Sequence, residues 1–227
     1  MNFSFTVSAW AAWTPGAEGL ETGGAVRTEA LVLPAALRRR TTGIGRKALA
    51  AALAILPEAG APRFVLASRH GEYRRTFAML QALSEEGAVS PTDFSMAVHH
   101  ALAGLLSIAT GNHEGHTAIA AGPDSFAYGL MEAGMWVAEA QIPALMIYFD
   151  EALPAAYPSE GEPPEMVLAV GITPAVAGSG LRVTMMGEAA QGEGRSLALA
   201  FLETLRRGRG DGGAQGGRMA WRWQLDA

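Results

Sequence analysis

The sequence contains no cysteine among its 227 residues. Disulfide bonds, thiolate metal sites and catalysis by a cysteine nucleophile are therefore excluded within this chain. Aromatic residues (7%) and charged residues (17%) are also scarce, whereas 49% of the residues are hydrophobic. This composition supports a large buried core, and the length fits a single α/β domain over residues 1–227.

Long apolar runs and a strong charge of one sign are also missing. The longest strongly apolar run, near residues 48–56, is much shorter than the roughly 20 residues of a membrane-spanning helix. The N-terminal segment has neither the basic start nor the continuous apolar stretch of a signal peptide. The net charge is −5, with 17 basic and 22 acidic residues dispersed along the chain. We expect a soluble, cytoplasmic protein without a membrane span or a nucleic-acid partner.

Hydrophobic patterning predicts an α/β fold in which short buried strands alternate with helices. The predicted strands cover residues 3–13, 63–67, 117–121, 144–149, 166–172, 181–186 and 218–225. The predicted helices cover residues 47–56, 75–83, 94–108, 125–140 and 196–206. The alternation of strand and helix through residue 150 predicts a parallel sheet. Residues 208–217 are so rich in glycine that we expect a flexible surface loop there.

Residues 90–122 carry a set of small and apolar residues at characteristic spacings. The set consists of Ser90, Pro91, Phe94, His100, Ala103, Gly104, Ile108, Gly111 and Gly115, followed by residues 117–122. This stretch resembles the part of a β-ketoacyl synthase that leads into the nucleophilic cysteine. Residues 37–49, 68–72, 125–140 and 145–151 resemble neighbouring elements of the same family, and beyond residue 151 the likeness fades. The resemblance implies a thiolase-like fold, comparable to the N-terminal half of a ketosynthase with a short, divergent C-terminal part.

The resemblance assigns Gly122 to the position of the nucleophilic cysteine, with Pro123 as the alternative one residue later. In the family, a helix N-terminus at this position lowers the pKa of the thiol, and backbone N–H groups bind the oxyanion. Neither glycine nor proline can attack a thioester. Ketosynthases also take two further catalytic side chains, usually histidines, from a region far beyond the nucleophile. The five histidines of this chain, at positions 70, 99, 100, 113 and 116, all precede Gly122.

Chain-length factors resemble ketosynthases but lack the nucleophilic cysteine. This group fits the absence from this chain of both the cysteine and the later histidines. Chain-length factors pair with an intact ketosynthase and shape the pocket for the growing acyl chain, and a short form occurs in aryl-polyene pathways. The resemblance implies a non-catalytic partner of a full-length ketosynthase in fatty-acid or polyketide-type biosynthesis, served by an acyl carrier protein and needing no cofactor. The implied interface and acyl-pocket residues are Phe94, Met96, His100, Gly104, Thr117, Ile119 and Phe126.

The residues leave other hypotheses open. Ser125 follows a predicted tight turn, and with His99 or His100 as base it would be the nucleophile of an acyltransferase or thioesterase. A serine that caps the helix is the alternative, because the Gly-x-Ser-x-Gly pattern is absent. His113 and His116 have the spacing of metal ligands, but the sequence specifies no third ligand, and we predict no metal site. A homo-oligomeric acyl-binding protein is a third hypothesis.

One basic cluster interrupts an otherwise dispersed charge pattern. It consists of Arg38, Arg39, Arg40, Arg46 and Lys47. Because acyl carrier proteins are acidic, such a cluster is suited to docking one of them. A solvated helix face is the alternative interpretation.

Overall fold

The computed structural model describes residues 2–29, 31–58, 60–157, 165–174, 181–189 and 194–226. Its strands are β1 (Asn2–Trp13), β2 (Glu21–Gly24), β3 (Arg63–Ala67), β4 (His116–Ile119), β5 (Ala144–Asp150), β6 (Met166–Thr173), β7 (Leu181–Ala189), β8 (Gly210–Gln215) and β9 (Met219–Asp226). Its helices are α1 (Ala35–Arg38), α2 (Gly43–Ala54), α3 (Tyr73–Glu86), α4 (Pro91–Met96), α5 (Ala101–Thr110), α6 (Ser125–Ala140) and α7 (Leu197–Arg207). A 3₁₀ turn, Gly122–Asp124, precedes α6.

The strands form one mixed sheet in the order β4-β3-β5-β6-β1-β7-β9-β8, with β2 paired to β1. The prediction of a parallel sheet is correct only for β3 with its neighbours β4 and β5. The remaining pairs are antiparallel. Antiparallel neighbours need no helical crossover, so β6 returns beside β5. The long first strand then joins the two parts of the sheet, since it pairs with both β6 and β7.

Alternate residues of the central strands enter two separate cores on the two faces of the sheet. On one face, Val65 and Met146 pack with α6 and α7. On the other face, Phe64 and Leu145 pack with α2 and α5. The resulting three layers explain why β5 is buried along its whole length and why residues 144–149 read as an uninterrupted apolar run.

The predicted helix over residues 94–108 is two helices. Ser90 caps α4 by accepting a hydrogen bond from the backbone N–H of Asp93, and Pro91 is the first helical residue. That helix ends at Met96, and α5 begins at Ala101. The connection contains neither glycine nor proline, so no local signal marks the break.

The prediction of a flexible loop over residues 208–217 is wrong for β8, which pairs antiparallel with β9. The glycines serve close packing in this hairpin. A Cβ atom on Gly212 would lie 2.1 Å from Nε1 of Trp223 and 2.6 Å from Oγ1 of Thr204. The indole N–H of Trp223 donates to Thr204 Oγ1 at 3.0 Å. Glycine at this position therefore lets the strand lie directly on a buried tryptophan.

A fully buried carboxylate, that of Asp150, lies at the end of β5. Its Oδ1 accepts hydrogen bonds from Ser68 Oγ at 2.9 Å and from the backbone N–H groups of Arg69 at 2.9 Å and His70 at 3.2 Å. Its Oδ2 accepts from the Tyr148 hydroxyl at 2.6 Å. These bonds wrap the segment after β3 around the carboxylate and join the ends of two central strands.

The same segment places a histidine and a glycine in contact. Gly71 has a φ of +67°, in the left-handed region that favours glycine, and its N–H donates to Ser68 Oγ at 2.7 Å. A Cβ atom there would also lie 3.3 Å from the His99 ring. Nε2 of His99 lies 3.3 Å from the carbonyl oxygen of Ser68. The turn therefore helps to position the segment that leads into α5.

Two further carboxylates at this edge of the sheet hold the starts of helices. Glu72 accepts hydrogen bonds from the N–H and the hydroxyl of Thr42, the N-cap residue of α2. Gly45 makes room for this contact, because a Cβ atom on it would lie 2.5 Å from Glu72 Oε1. Glu151 accepts from the N–H of Arg74 at 3.1 Å and pairs with its guanidinium at 3.2 Å.

The buried carboxylate makes the stability of the fold depend on pH. Burial raises the pKa of Asp150 above its ordinary value of 3.8, although hydrogen bonds from Tyr148, Ser68 and the backbone oppose the shift. Because the folded protein holds this proton more tightly than the unfolded chain, the contribution of Asp150 to stability is greatest below the unfolded pKa. It is lost as the pH rises through the folded pKa.

We predict how the free energy of unfolding of the wild type differs from that of Asp150→Asn. The difference, wild type minus variant, falls as the pH rises from about 4 and then levels off. The substitution also disrupts buried hydrogen bonds, at a cost of about 1–3 kcal/mol. Urea unfolding between pH 4 and 7 measures both effects. Asp211→Asn, on an exposed residue, is the matched control. A difference for Asp150→Asn that does not vary with pH would contradict the prediction.

Candidate functional site

The turn between β4 and α6 contains the candidate position of the missing nucleophile. The chain leaves β4 at Ile119, passes through the 3₁₀ turn and enters α6 at Ser125. Gly122 has a φ of +59°, in the left-handed region. Within the described part of the chain, no neighbouring side chain lies within 4 Å of where its Cβ atom would be. The local geometry is strand, turn and helix, as the sequence predicts, and the residue at the turn offers no reactive group.

Ser125 is 1% exposed, and its hydroxyl is used within the turn. Its Oγ donates to the carbonyl oxygen of Gly122 at 2.7 Å and accepts from the N–H of Ala121 at 2.9 Å. Among the described residues, no histidine is hydrogen-bonded to this hydroxyl. His99 contacts the Ser68 carbonyl instead. These are the contacts of a serine that closes a turn.

Asp124 ties the same turn to the C-terminal hairpin. Its carboxylate accepts from the indole N–H of Trp221 and from the backbone N–H of Arg218, each at 2.9 Å. A Cβ atom on Gly216 would lie 1.8 Å from Asp124 Oδ1, so only glycine permits this approach. Asp124 is 1% exposed. In the sequence, Asp124 stands out only as part of a turn, because its partners lie more than ninety residues later in the chain.

The edge strand β4 and the start of α5 bring two histidines together. The rings of His100 and His116 are stacked, with centroids 5.8 Å apart. Burial, followed by the charges of His100 and Arg63, lowers the pKa of His116. Arg63 donates to Thr117 Oγ1 at 3.1 Å and lies 4.4 Å from the ring of Trp136. His113 and His116 do not form part of a metal-ligand group, since the described residues contain no cluster of three His, Cys, Asp or Glu side chains suited to a metal.

The predicted interface residues divide into surface and core positions. Phe94 is 66% exposed, His100 is exposed, and Thr117 and Ile119 are half-buried on the edge strand. Gly104 is half-buried and has open space at its Cβ position. By contrast, Met96 and Phe126 are buried in the two opposite cores of this chain. Ile108, near the end of α5, is a further apolar side chain that is exposed, at 68%.

Four of the five residues in the basic cluster are exposed. These are Arg38, Arg39, Arg40 and Arg46. Lys47 is half-buried, with its ammonium 3.0 Å from the centroid of the Trp13 ring and 3.8 Å from Glu165 Oε1. The lysine is therefore engaged within the fold, and the arginines carry the basic surface. Among the described helices, none combines the length and the apolar composition needed to cross a bilayer.

The family model for the N-terminal domain of β-ketoacyl synthases matches residues 10–224. The match extends well past residue 151, so the expectation that the likeness fades beyond that residue is wrong. No curated protein sequence matches this chain.

Solved structures with the same fold include ketosynthases and their partners. The chain is similar to a chain of "Ketosynthase (ApeO) in Complex with its Chain Length Factor (ApeC) from Xenorhabdus doucetiae", with a TM-score of 0.79 and 25% identity over 96% of this chain and 99% of that chain. It is similar to a chain of "The ishigamide ketosynthase/chain length factor", with a TM-score of 0.61 and 14% identity over 90% and 73% of the two chains. A third similar structure contains a type II polyketide acyl-carrier protein with its ketosynthase, at a TM-score of 0.61 and 11% identity over 85% and 71%.

These likenesses cover nearly all of the chain and agree with the mixed sheet and the two helical layers described above. The fold is thiolase-like, and the matched chain of the Xenorhabdus complex is close to this one in length, because almost all of each chain is covered. The chain therefore belongs to the family of β-ketoacyl synthase N-terminal domains.

Proposed function

We propose that this chain is a non-catalytic partner of a full-length ketosynthase and acts as a chain-length factor that shapes the acyl pocket of that enzyme. The observation that carries the proposal is the turn at Gly122. We assign this turn to the position of the nucleophilic cysteine, and it has no side chain there. The neighbouring hydroxyl of Ser125 is buried and bonded within the turn. A member of this family without a nucleophile is suited to binding a ketosynthase and shaping the acyl pocket of that enzyme.

The similar Xenorhabdus structure is a ketosynthase in complex with its chain length factor, and this likeness supports a ketosynthase as the partner. We place the product in fatty-acid or polyketide-type biosynthesis, with an aryl-polyene pathway as the specific hypothesis. In this role the chain needs no cofactor, because it contributes a binding surface and no catalytic group.

We assign the ketosynthase-binding face to β4, α4 and α5. Phe94 and Ile108 are large apolar side chains that are about two-thirds exposed, as expected of anchors that a partner buries. In the described part of the chain, β4 pairs only with β3, so its other edge has backbone groups free for a partner. The open space at Gly104 allows close approach to α5.

This assignment predicts that Phe94→Lys and Ile108→Lys each weaken binding to the ketosynthase at least tenfold, because a charge would be buried in the interface. The matched control is Met186→Lys, since Met186 is 41% exposed on β7, about 24 Å across the sheet from β4. Co-purification with full-length ketosynthases from the same genome, followed by titration calorimetry, measures the effect.

Two results would contradict the assignment. One is binding by both variants as tight as that of the wild type. The other is a homo-oligomer, detected by size-exclusion chromatography, that no ketosynthase displaces, which would favour the homo-oligomeric acyl-binding protein.

The competing hypothesis of an acyltransferase or thioesterase predicts a covalent adduct. Because the Ser125 hydroxyl is bonded within its own turn, we expect neither an adduct nor turnover when the purified chain is incubated with an acyl thioester. Intact-mass spectrometry measures the adduct, with Ser125→Ala as the control. An adduct in the wild type that is absent from Ser125→Ala would establish the enzyme and refute the non-catalytic role.

We also propose that an acyl carrier protein approaches the complex over the exposed arginines of the basic cluster. The double variant Arg38→Glu/Arg46→Glu is expected to slow association with the carrier at least tenfold at low salt, because it reverses the steering field. Stopped-flow association with the assembled complex measures this. The control, Arg209→Glu/Arg222→Glu, makes the same change in net charge at exposed positions elsewhere. Equal slowing by both pairs, or slowing that salt does not reduce, would refute specific docking.

A further inference from the structure

A cleft of about 720 Å³ lies between α3, the start of α4 and the segment before α2. Its volume falls in the range of roughly 300–1,000 Å³ that is typical of small-molecule sites. Phe94, Ile108 and the β4 residues do not line it, although Asp93 of α4 places the cleft next to the proposed ketosynthase-binding face.

One wall of the cleft is an apolar surface of α3. This helix is 14 residues long and contains no buried residue. Ala78, Met79 and Ala82 lie along its cleft side, and Ala88 and Val89 continue the apolar lining beyond its end. A helix normally covers its apolar stripe by packing it against the protein. Here that stripe lines open space and is suited to an apolar ligand.

The other part of the lining is basic and lies near the N-terminal end of α3. Arg74 and Arg75 are already paired, with Glu151 at 3.2 Å and with Asp93 at 2.8 Å. Arg39 also lines the cleft, and its guanidinium has no hydrogen-bond or ion-pair partner among the described residues. The positive end of the helix dipole adds to the field at this end.

An acidic residue lies at the opposite end. Glu86, in the last turn of α3, follows Arg75 by about 16 Å along the helix axis. Because Arg75 is paired with Asp93 and Arg74 with Glu151, Arg39 is the arginine of the lining that is in no ion pair among the described residues. The cleft is therefore polarised along its length, with a cation at one end, apolar residues in the middle and a carboxylate at the other end.

We propose that this cleft binds an unbranched apolar chain with an anionic head, with the head at Arg39 and the chain along Ala78, Met79 and Ala82. A fatty-acid carboxylate and an alkyl phosphate share this chemistry. The site does not depend on the proposed pairing with a ketosynthase.

Titration calorimetry of the full chain with decanoate and with decyl phosphate, each below its micelle concentration, tests the proposal. We expect saturable one-to-one binding of at least one of them. Binding of both ligands means that a negative charge on the head group is sufficient for recognition. Binding of only one shows whether the site takes a carboxylate or a phosphate. Decanol and decyltrimethylammonium are expected to bind at least tenfold more weakly. Absence of saturable binding, or equal binding of decanol, would overturn the proposal.

Two pairs of variants localise the site. Ala82→Trp fills the cleft and is expected to abolish binding, whereas Gln81→Trp places the same side chain at an exposed neighbouring position outside the lining. Arg39→Glu is expected to weaken binding at least tenfold, whereas Arg209→Glu, at an exposed position outside the lining, changes the affinity less than twofold. Circular dichroism checks the fold of each variant, and Arg39→Glu keeps the test decisive if Ala82→Trp fails to fold. Binding that both cleft variants leave unchanged would refute this site.

Discussion

The carboxylate of Asp150 is the interaction on which the carboxyl edge of the sheet depends. It is fully buried, yet hydrogen bonds from Ser68, Tyr148 and two backbone N–H groups satisfy it. Replacing the carboxylate would instead leave several of these buried donors unpaired, which costs more than a bond itself contributes. Through the turn at Gly71, the same network reaches His99 and so the segment before α5. The segment that leads into α5, part of the face that we assign to the ketosynthase, is therefore positioned through this buried carboxylate.

The turn at Gly122 is also fixed by buried hydrogen bonds, although Gly122 has no reactive side chain. Ser125 closes it from within, and Asp124 joins it to the C-terminal hairpin through Trp221 and the backbone of Arg218. Every polar group named here is used in holding the fold. A catalytic turn needs a nucleophilic side chain with an activating base and access for the substrate to that side chain. This one offers neither property, which accords with a subunit whose contribution is shape.

The surfaces that remain available differ in character and lie on different elements. The apolar side chains of Phe94 and Ile108 extend from α4 and α5. The exposed arginines lie near α1 and at the start of α2, in a protein with a net charge of −5. Arg39 belongs to this basic cluster and also lines the cleft beside α3. A carrier protein on the arginines and a ligand in the cleft would therefore share one side chain, and each would influence the binding of the other.

The sequence by itself determined which chemistry is excluded, since it contains no cysteine and no histidine beyond residue 116. It also determined most strands and helices, because hydrophobic periodicity is a local property. Only the tertiary structure decided that β6 runs antiparallel to β5 and that Gly212 belongs to a strand packed on Trp223. It alone paired Asp124 with Trp221, and it placed Phe126 in the core beside α7. The physical reason is that periodicity shows which side chains are buried, whereas their partners are brought together only by the folding of distant segments.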